Sequence, residues 1–555
     1  MKLLNDILNN VPEFGQLLAA MDSGRCPVAL SGLSAVHRAH FAAGVYARTG
    51  RPVVLVCADE GEGERLARDL ESLTGQRVPV LAPRSYIFHN AATVSRQWEH
   101  RRLALMRAMA AGEVPLLVAA VEGLLQRTLP PEELDRAWAE LRTGGSYDLN
   151  QLAETLTAAG YSRCDQVEGV GQFALRGGIL DVYSPGMEQP VRAEFFGDEL
   201  DAMGLFDPAT QRRTENVERA VLLPAAEALP HLAPGGTAGL AARLEKLAAG
   251  AEKAGRHELA QTLRQDREAL EQGRSFPATD RYLALIYPQL ATAADYLPPD
   301  ACVLFSESSR VGERAKTYQW QLEEDAKSLM ERGELDGSCA VLSRTFPELN
   351  ARLSDWPTAY LDSFTLSAYP VPPGCLLSVT AKQLPSFGAS LETAVSDLDH
   401  YQRSGLGTLV LVSSEQRALN LQTLLREQGL RAAVEFQPQT LPGPGETLVS
   451  VGGLSAGMEY PEARLAVLTE GQGAALKKPR PRKAATNREK LKSYADLSPG
   501  DLVVHEHHGV GRYMGMVKLP ADGVEKDYIK IDYAGGDCLY VPVTQLDQVS
   551  KYIGG

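Results

Sequence analysis

The chain has 555 residues, too many for one hydrophobic core, and a typical domain length divides it into roughly four domains. Hydrophobic residues at 44% and charged residues at 23% exclude a mainly disordered polymer. A net charge of −14 and a pI near 5.4 exclude a surface that coats nucleic acid throughout, because neutralising phosphate needs concentrated Lys and Arg.

The start, Met1-Lys2-Leu3-Leu4-Asn5-Asp6, is broken by polar residues before an export signal can form, and no run of 18 apolar residues follows, so neither export nor a membrane span is expected. Seven scattered cysteines without a C-x-x-C pair give no disulfide framework and no zinc site, which fits a reducing cytoplasm.

Residues 27–31, 52–58, 78–82 and 115–121 are short, nearly all-apolar runs, as expected of strands buried on both faces. Helical spacing over 35–48 and 61–73 between them predicts a parallel sheet covered by helices. After Gly144 the pattern changes. Residues 149–160 predict one amphipathic helix, and 172–207 alternate apolar and polar residues, with turn signals at Gly177-Gly178, Pro185-Gly186 and Gly197-Asp198: a small α+β module. Residues 238–272 return to helix, and a strand over 301–306 predicts that an α/β domain resumes. A further α/β unit fits 389–470, with strands at 406–412 and 448–451 and a helix at 415–428. The segment Lys477-Lys478-Pro479-Arg480-Pro481-Arg482-Lys483 is basic and interrupted by proline, as in an extended linker. Residues 500–549 hold alternating strands with a hairpin-like turn at Ala534-Gly535-Gly536-Asp537, enough for a small barrel.

The turn after the first strand is where a nucleoside-triphosphate fold keeps a G-x-x-x-x-G-K-[ST] loop. Here it reads Gly32-Leu33-Ser34-Ala35-Val36-His37-Arg38-Ala39. His37 replaces the second glycine and crowds the phosphate path; Arg38 keeps a charge without the compact ammonium; Ala39 offers magnesium no hydroxyl. This degenerate loop is expected to bind no ATP. No other catalytic constellation is legible. His505, His507 and His508 alternate across a strand without a fourth partner at ligand spacing, so no metal is expected. Gly509 and Gly511 are expected to relieve a tight turn or bulge.

Alternation places Arg176, Arg192, Glu194 and Phe196 on related faces of the module's sheet. Two guanidinium groups beside an aromatic ring suit a protein–protein hot spot. The alternative is an ion pair of either arginine with Glu194, Asp198 or Glu199, and Phe196 in the core. The stretch Phe173-Ala174-Leu175-Arg176-Gly177-Gly178-Ile179-Leu180-Asp181-Val182-Tyr183-Ser184-Pro185, followed by Pro190-Val191-Arg192-Ala193-Glu194-Phe195-Phe196-Gly197-Asp198-Glu199-Leu200, resembles a block shared by the excinuclease subunit UvrB and the transcription-repair coupling factors. In both, this module docks onto UvrA, and the resemblance implies that Arg176, Arg192 and Phe196 carry the contact. Gly204 stands where relatives often carry Arg, so the rim of the surface is expected to differ. Residues 497–513 and 537–543 independently resemble the RNA-polymerase-interacting domain of the coupling factors, found also in CarD-type regulators. That likeness implies contact through Val517, Lys518 and Leu519 on an exposed strand, the alternative being an ordinary half-buried strand.

The expected architecture is α/β and multidomain. A degenerate P-loop-type parallel-sheet domain (1–143 and 223–360) carries an inserted α+β UvrA-docking module (144–222). A third α/β domain of unknown role (361–472), a basic linker (473–496) and a small SH3/Tudor-like β-barrel (497–555) follow. The resemblance implies the amino-terminal half of a coupling factor. By that resemblance it would act as a cytoplasmic adaptor between UvrA and the β subunit of RNA polymerase, with no cofactor, catalytic residue or membrane contact of its own expected. ATP, magnesium and double-stranded DNA would belong to translocase modules absent from this chain. Two rivals are an NTP-driven helicase, suggested by the α/β alternation, and a CarD-type DNA-binding regulator, suggested by the basic segment.

Overall fold

The four apolar runs near the start form the strands Val28–Ser31, Val53–Cys57, Val80–Leu81 and Leu116–Ala120, nearly all of whose residues are buried. The helices Ala35–Thr49 and Glu60–Thr74 cross between them, as parallel strands of one sheet require. The second helix starts where the Asp59 carboxylate accepts the Glu62 amide at 2.8 Å. The computed structural model describes residues 2–88, 96–274, 277–388, 391–471, 488–490, 500–505, 509–521, 524–532, 538–542 and 549–552. The chain divides into two units, Met1–Ala475 and Leu476–Gly555.

The first unit is built on a seven-stranded, all-parallel sheet. Its order is Cys375–Ser378, Val28–Ser31, Thr358–Leu361, Cys302–Ser306, Val53–Cys57, Leu116–Ala120, Val80–Leu81. Three strands from beyond the inserted module thus interleave with strands from before it. The domain boundary expected at 360/361 is corrected by this order, because Cys375–Ser378 pairs along the whole of Val28–Ser31.

The module also begins earlier than residue 144. Ala139–Arg142 pairs antiparallel with Arg219–Leu222, clasping the insert at its base, and Leu141 and Leu222 join its core. Beyond the clasp lies a six-stranded sheet in the order Arg213–Asn216, Glu199–Phe206, Val191–Phe196, Ile179–Tyr183, Gln172–Arg176, Ser162–Arg163. The helix Leu149–Ala158, capped by Asp148 on the Asn150 and Gln151 amides, packs Leu152 and Leu156 into the core of the sheet's inner face, with Phe173, Leu180, Val182, Val191 and Ala193. Where the chain leaves the module, buried Glu227 is ion-paired with two arginines, Arg84 Nε at 3.1 Å and Arg102 Nε at 3.2 Å. The helical stretch that follows is two helices, Gly236–Lys253 and His257–Glu271, separated around Gly255.

The third α/β domain has a mixed six-stranded sheet in the order Lys382–Leu384, Gly457–Tyr460, Leu465–Thr469, Gly407–Val412, Thr447–Val451, Ala433–Val434. Its central strand alternates: Val410 and Val412 pack with Leu398, Leu421 and Leu425, whereas Leu409 and Leu411 join Leu4, Ile7, Val36 and Phe41 of the first domain. One continuous core therefore spans both. Polar contacts cross the same seam. Buried His40 donates from Nε2 to the Leu4 carbonyl at 2.9 Å and accepts the Tyr460 hydroxyl on Nδ1 at 2.9 Å, while Asp69 accepts the Ser455 amide at 2.7 Å.

In the second unit an antiparallel sheet runs Arg488–Lys490, Val549–Tyr552, Leu502–His505, Gly509–Ala521, Val524–Asp532, Cys538–Pro542. Arg488–Lys490 falls inside the expected linker, so that segment is shorter than 473–496. The register shift lies between Tyr513 and Gly515, whose φ is +118°, whereas Gly509 and Gly511 pair regularly with His505 and Val503; of the expected tight turn or bulge, this corrects the bulge, and residues 506–508 lie outside the described residues. The basic stretch 477–483, the turn at 534–537, His507 and His508 lie outside the described residues.

Replacing Tyr460 with Phe should leave a buried imidazole nitrogen without its donor. A loss of about 1–3 kcal/mol is expected, read as a lower denaturation midpoint of the first unit. An unchanged midpoint would show that this seam does not anchor the third domain.

Candidate functional site

Two places follow from the sequence: the loop after the first strand and the outer face of the module's sheet. At the first, backbone groups decide the matter. A phosphate loop turns its amides toward the ligand, but here Gly32 N donates to the Ser363 carbonyl at 3.2 Å and Leu33 N to the Asp362 carbonyl at 3.1 Å. Gly32 has a φ of +89°, and a Cβ at this position would stand 2.1 Å from the Val379 carbonyl oxygen. The glycine is required by the close approach of the chain's own backbone.

Arg38 is turned inward. Its Nη1 donates to Glu307 Oε1 at 2.6 Å and to the Leu33 carbonyl at 2.8 Å, its Nε donates to Ser306 Oγ at 2.9 Å, and Glu62 lies 3.8 Å from Nη2. His37 and Ala39 are fully buried, with His37 Nδ1 2.7 Å from Ser34 Oγ. The segment thus forms a packed strand-to-helix junction around an internal ion cluster. Burial drives the pKa of His37 down to about 3 and that of His40 to about 4, and it pushes Asp362 up to about 6.

On the module, Arg192 stands directly across from Asp181 on one neighbouring strand and Gly204 on the other. Because side chains alternate, Arg176, Asp181, Arg192, Glu194 and Gly204 share the face opposite the core. Arg192 grips buried Asp181 with two bonds, Nε to Oδ1 at 2.7 Å and Nη2 to Oδ2 at 2.8 Å, and its guanidinium carbon lies 4.6 Å from the centre of the Phe206 ring. Arg176 reaches the same carboxylate at 3.1 Å. The side chains of Arg176 and Arg192 remain 55% and 22% exposed, and Phe196, just before the turn at Gly197-Asp198, is 86% exposed.

The structural alternative is therefore changed in both parts. The arginines pair with Asp181 rather than with Glu194, Asp198 or Glu199, and Phe196 lies outside the core, its neighbour Phe195 instead packing edge-on against Tyr147. Sequence reasoning gave Asp181 no role. Its place is set by a cross-strand register that spacing along one strand does not show. In the second unit, Val517 is half-buried opposite Tyr528, while Lys518 and Leu519 are placed by backbone register alone, opposite Asp527 and Lys526. On the same strand Met514 and Met516 are exposed.

Residues 139–227 match the UvrB interaction domain, and residues 497–553 match the CarD-like/TRCF RID domain. Fold and matches together define a multidomain α/β protein that carries these two modules. Along nearly its whole length the chain is similar to transcription-repair-coupling factors. It is 31% identical over 553 residues to that of Bacillus subtilis (strain 168), covering 98% of this chain and 46% of the relative. It is 30% identical over 567 residues to that of Staphylococcus haemolyticus (strain JCSC1435), covering 99% and 47%. The chain thus spans a little under half the length of these relatives.

Arg38→Ala should destabilise the first unit by about 3–5 kcal/mol, because it removes the close cation of Glu307 and leaves Glu62 only Arg310 at 3.9 Å; chemical denaturation checks this. A second expectation concerns acid. A histidine with a depressed folded pKa contributes stability that is complete above its ordinary value of 6.5 and lost as pH falls toward 4. Asp362, raised from 3.8, acts in the opposite sense between 3.8 and about 6. The histidines outnumber it, so stability should decline from pH 7 to pH 5, at up to about 1.4 kcal/mol per pH unit for each histidine. The decline should be shallower in His37→Gln, measured as denaturation midpoints across that range.

Proposed function

We propose that this chain is the adaptor segment of a transcription-repair-coupling factor, acting in the cytoplasm. Through Arg176, Arg192 and Phe196 it offers the outer face of the UvrB-like module to UvrA. Through Val517, Lys518 and Leu519, on a sheet that closes as a small SH3/Tudor-like barrel, it holds the β subunit of RNA polymerase stalled at a lesion. The observation that carries the reading is an exposed Phe196 ring on the same sheet as two arginines oriented by one buried carboxylate, within the segment that matches the UvrB interaction domain. Rigid aromatic area next to guanidinium groups is the composition from which protein–protein hot spots are built.

The relatives are about twice as long, and ATP-driven translocation on double-stranded DNA, with its ATP and magnesium, is assigned to the remainder of their length. For this segment the reading is an adaptor without catalysis of its own. The amides of Gly32 and Leu33 are held by Ser363 and Asp362, which supports it. The all-parallel sheet favours a motor as the second reading, and a hydrolysis assay with and without DNA separates the two. The expected result is no DNA-stimulated ATP turnover, even when residues 37–39 are changed to Gly, Lys and Thr, because those amides stay engaged.

Phe196→Ala should abolish retention of UvrA in a pull-down while leaving polymerase binding and thermal unfolding unchanged. Retention of UvrA at the parental level would sink the assignment of this face.

A further inference from the structure

The outer face of the module carries a third arginine that spacing does not reveal. Arg213 stands on the edge strand Arg213–Asn216, all of whose residues are exposed. Its side chain runs back across the adjacent strand to Glu194, with Nη1 and Oε1 3.3 Å apart. On the way it passes over Gly204. A Cβ at this position would fall 2.0 Å from Arg213 Nε and 2.8 Å from its guanidinium carbon. Because Gly204 is directly across from Arg192 on one side and Asn216 on the other, the guanidinium of Arg213 extends the row that Asp181 and Arg192 begin.

Charge and exposure distinguish this arginine from its neighbours. The ion pairs of the face set Arg176, Arg192 and Arg213 against Asp181 and Glu194. Asp181 is almost wholly buried and fixed by two partners, whereas the Arg213–Glu194 pair is 35% and 43% exposed. An exposed pair of this kind is weak and exchanges readily, while a guanidinium transferred to a partner's carboxylate can form a forked, charge-assisted contact. Glu194 lies two residues before Phe196 on the same strand, so such a contact would form beside the exposed ring.

We propose that Arg213, seated over Gly204, is a docking residue of this face, and that on binding it exchanges Glu194 for a carboxylate on an acidic surface of UvrA. This rests on the reading of the face as the UvrA-docking surface. The test is UvrA affinity of the full chain, measured by titration at two salt concentrations. Arg213→Glu should weaken binding at least tenfold. Arg213→Gln should weaken it less, with a reduced salt dependence. Gly204→Ala should displace the side chain and weaken binding as well, and Glu194→Gln should leave binding equal or tighter. If Phe196→Ala abolishes binding while Arg213→Glu and Arg213→Gln bind like the parent, the role of Arg213 is overturned and the docking face stands. If Glu194→Gln weakens binding as much as Arg213→Glu, the exchange is overturned. If neither Phe196→Ala nor Arg176→Glu changes affinity, the docking face itself fails, and Arg213 with it.

Discussion

The strand Val28–Ser31 is hydrogen-bonded on both sides by strands that the chain makes more than 300 residues later. Everything in the first unit answers to that constraint. The inserted module has to leave the domain and return to it, so its two ends are clasped together as Ala139–Arg142 and Arg219–Leu222, and the returning chain is pinned by Glu227 between Arg84 and Arg102. The same order explains the occluded loop. Placing Thr358–Leu361 beside the first strand brings the next two carbonyls, of Asp362 and Ser363, onto the amides of Leu33 and Gly32. A phosphate loop could not form there without displacing a neighbour that the sheet itself puts in place.

The third domain is joined through the core rather than by a linker. Buried residues on both faces of Gly407–Val412 satisfy two hydrophobic clusters, one its own and one shared with the first domain. At the seam, a hydrogen-bonded histidine and tyrosine occupy a place where an unpaired polar group would be costly. Burial keeps that histidine neutral, so its ring can donate to Leu4 and accept from Tyr460 at once.

The parallel sheet was legible because strands buried on both faces are written as apolar runs, and 28–31, 53–57 and 116–120 stand out for that reason. What pairs with them was not, since Cys375–Ser378 alternates in burial at a sheet edge and carries no sign of its distant neighbour. The module's strands were equally plain from alternation and paired glycine turns, and so was the shared face of Arg176 and Arg192. Asp181 and Arg213 were hidden by one cause: their roles are cross-strand, and register between strands is fixed by turn geometry and core packing that no single segment displays. Phe196 was legible in the same way as Arg176 and Arg192: counted from Arg192 along an unbroken strand it faces outward, because the register shift beside it skips Asp201 on the neighbouring strand.

Alternation also sorts the two phenylalanines: Phe195 turns in against Tyr147, while Phe196 projects outward at the end of the hairpin. The arginines are graded by exposure. Arg192 is held by two bonds to Asp181 and stacked on Phe206, and Arg176 shares that carboxylate from a more open position. A buried carboxylate with two cationic partners fixes the direction of both guanidinium groups before any partner arrives, so less side-chain freedom remains to be lost on binding. Exposure on this surface therefore rises outward from buried Asp181, through Arg192 and Arg176, to Phe196.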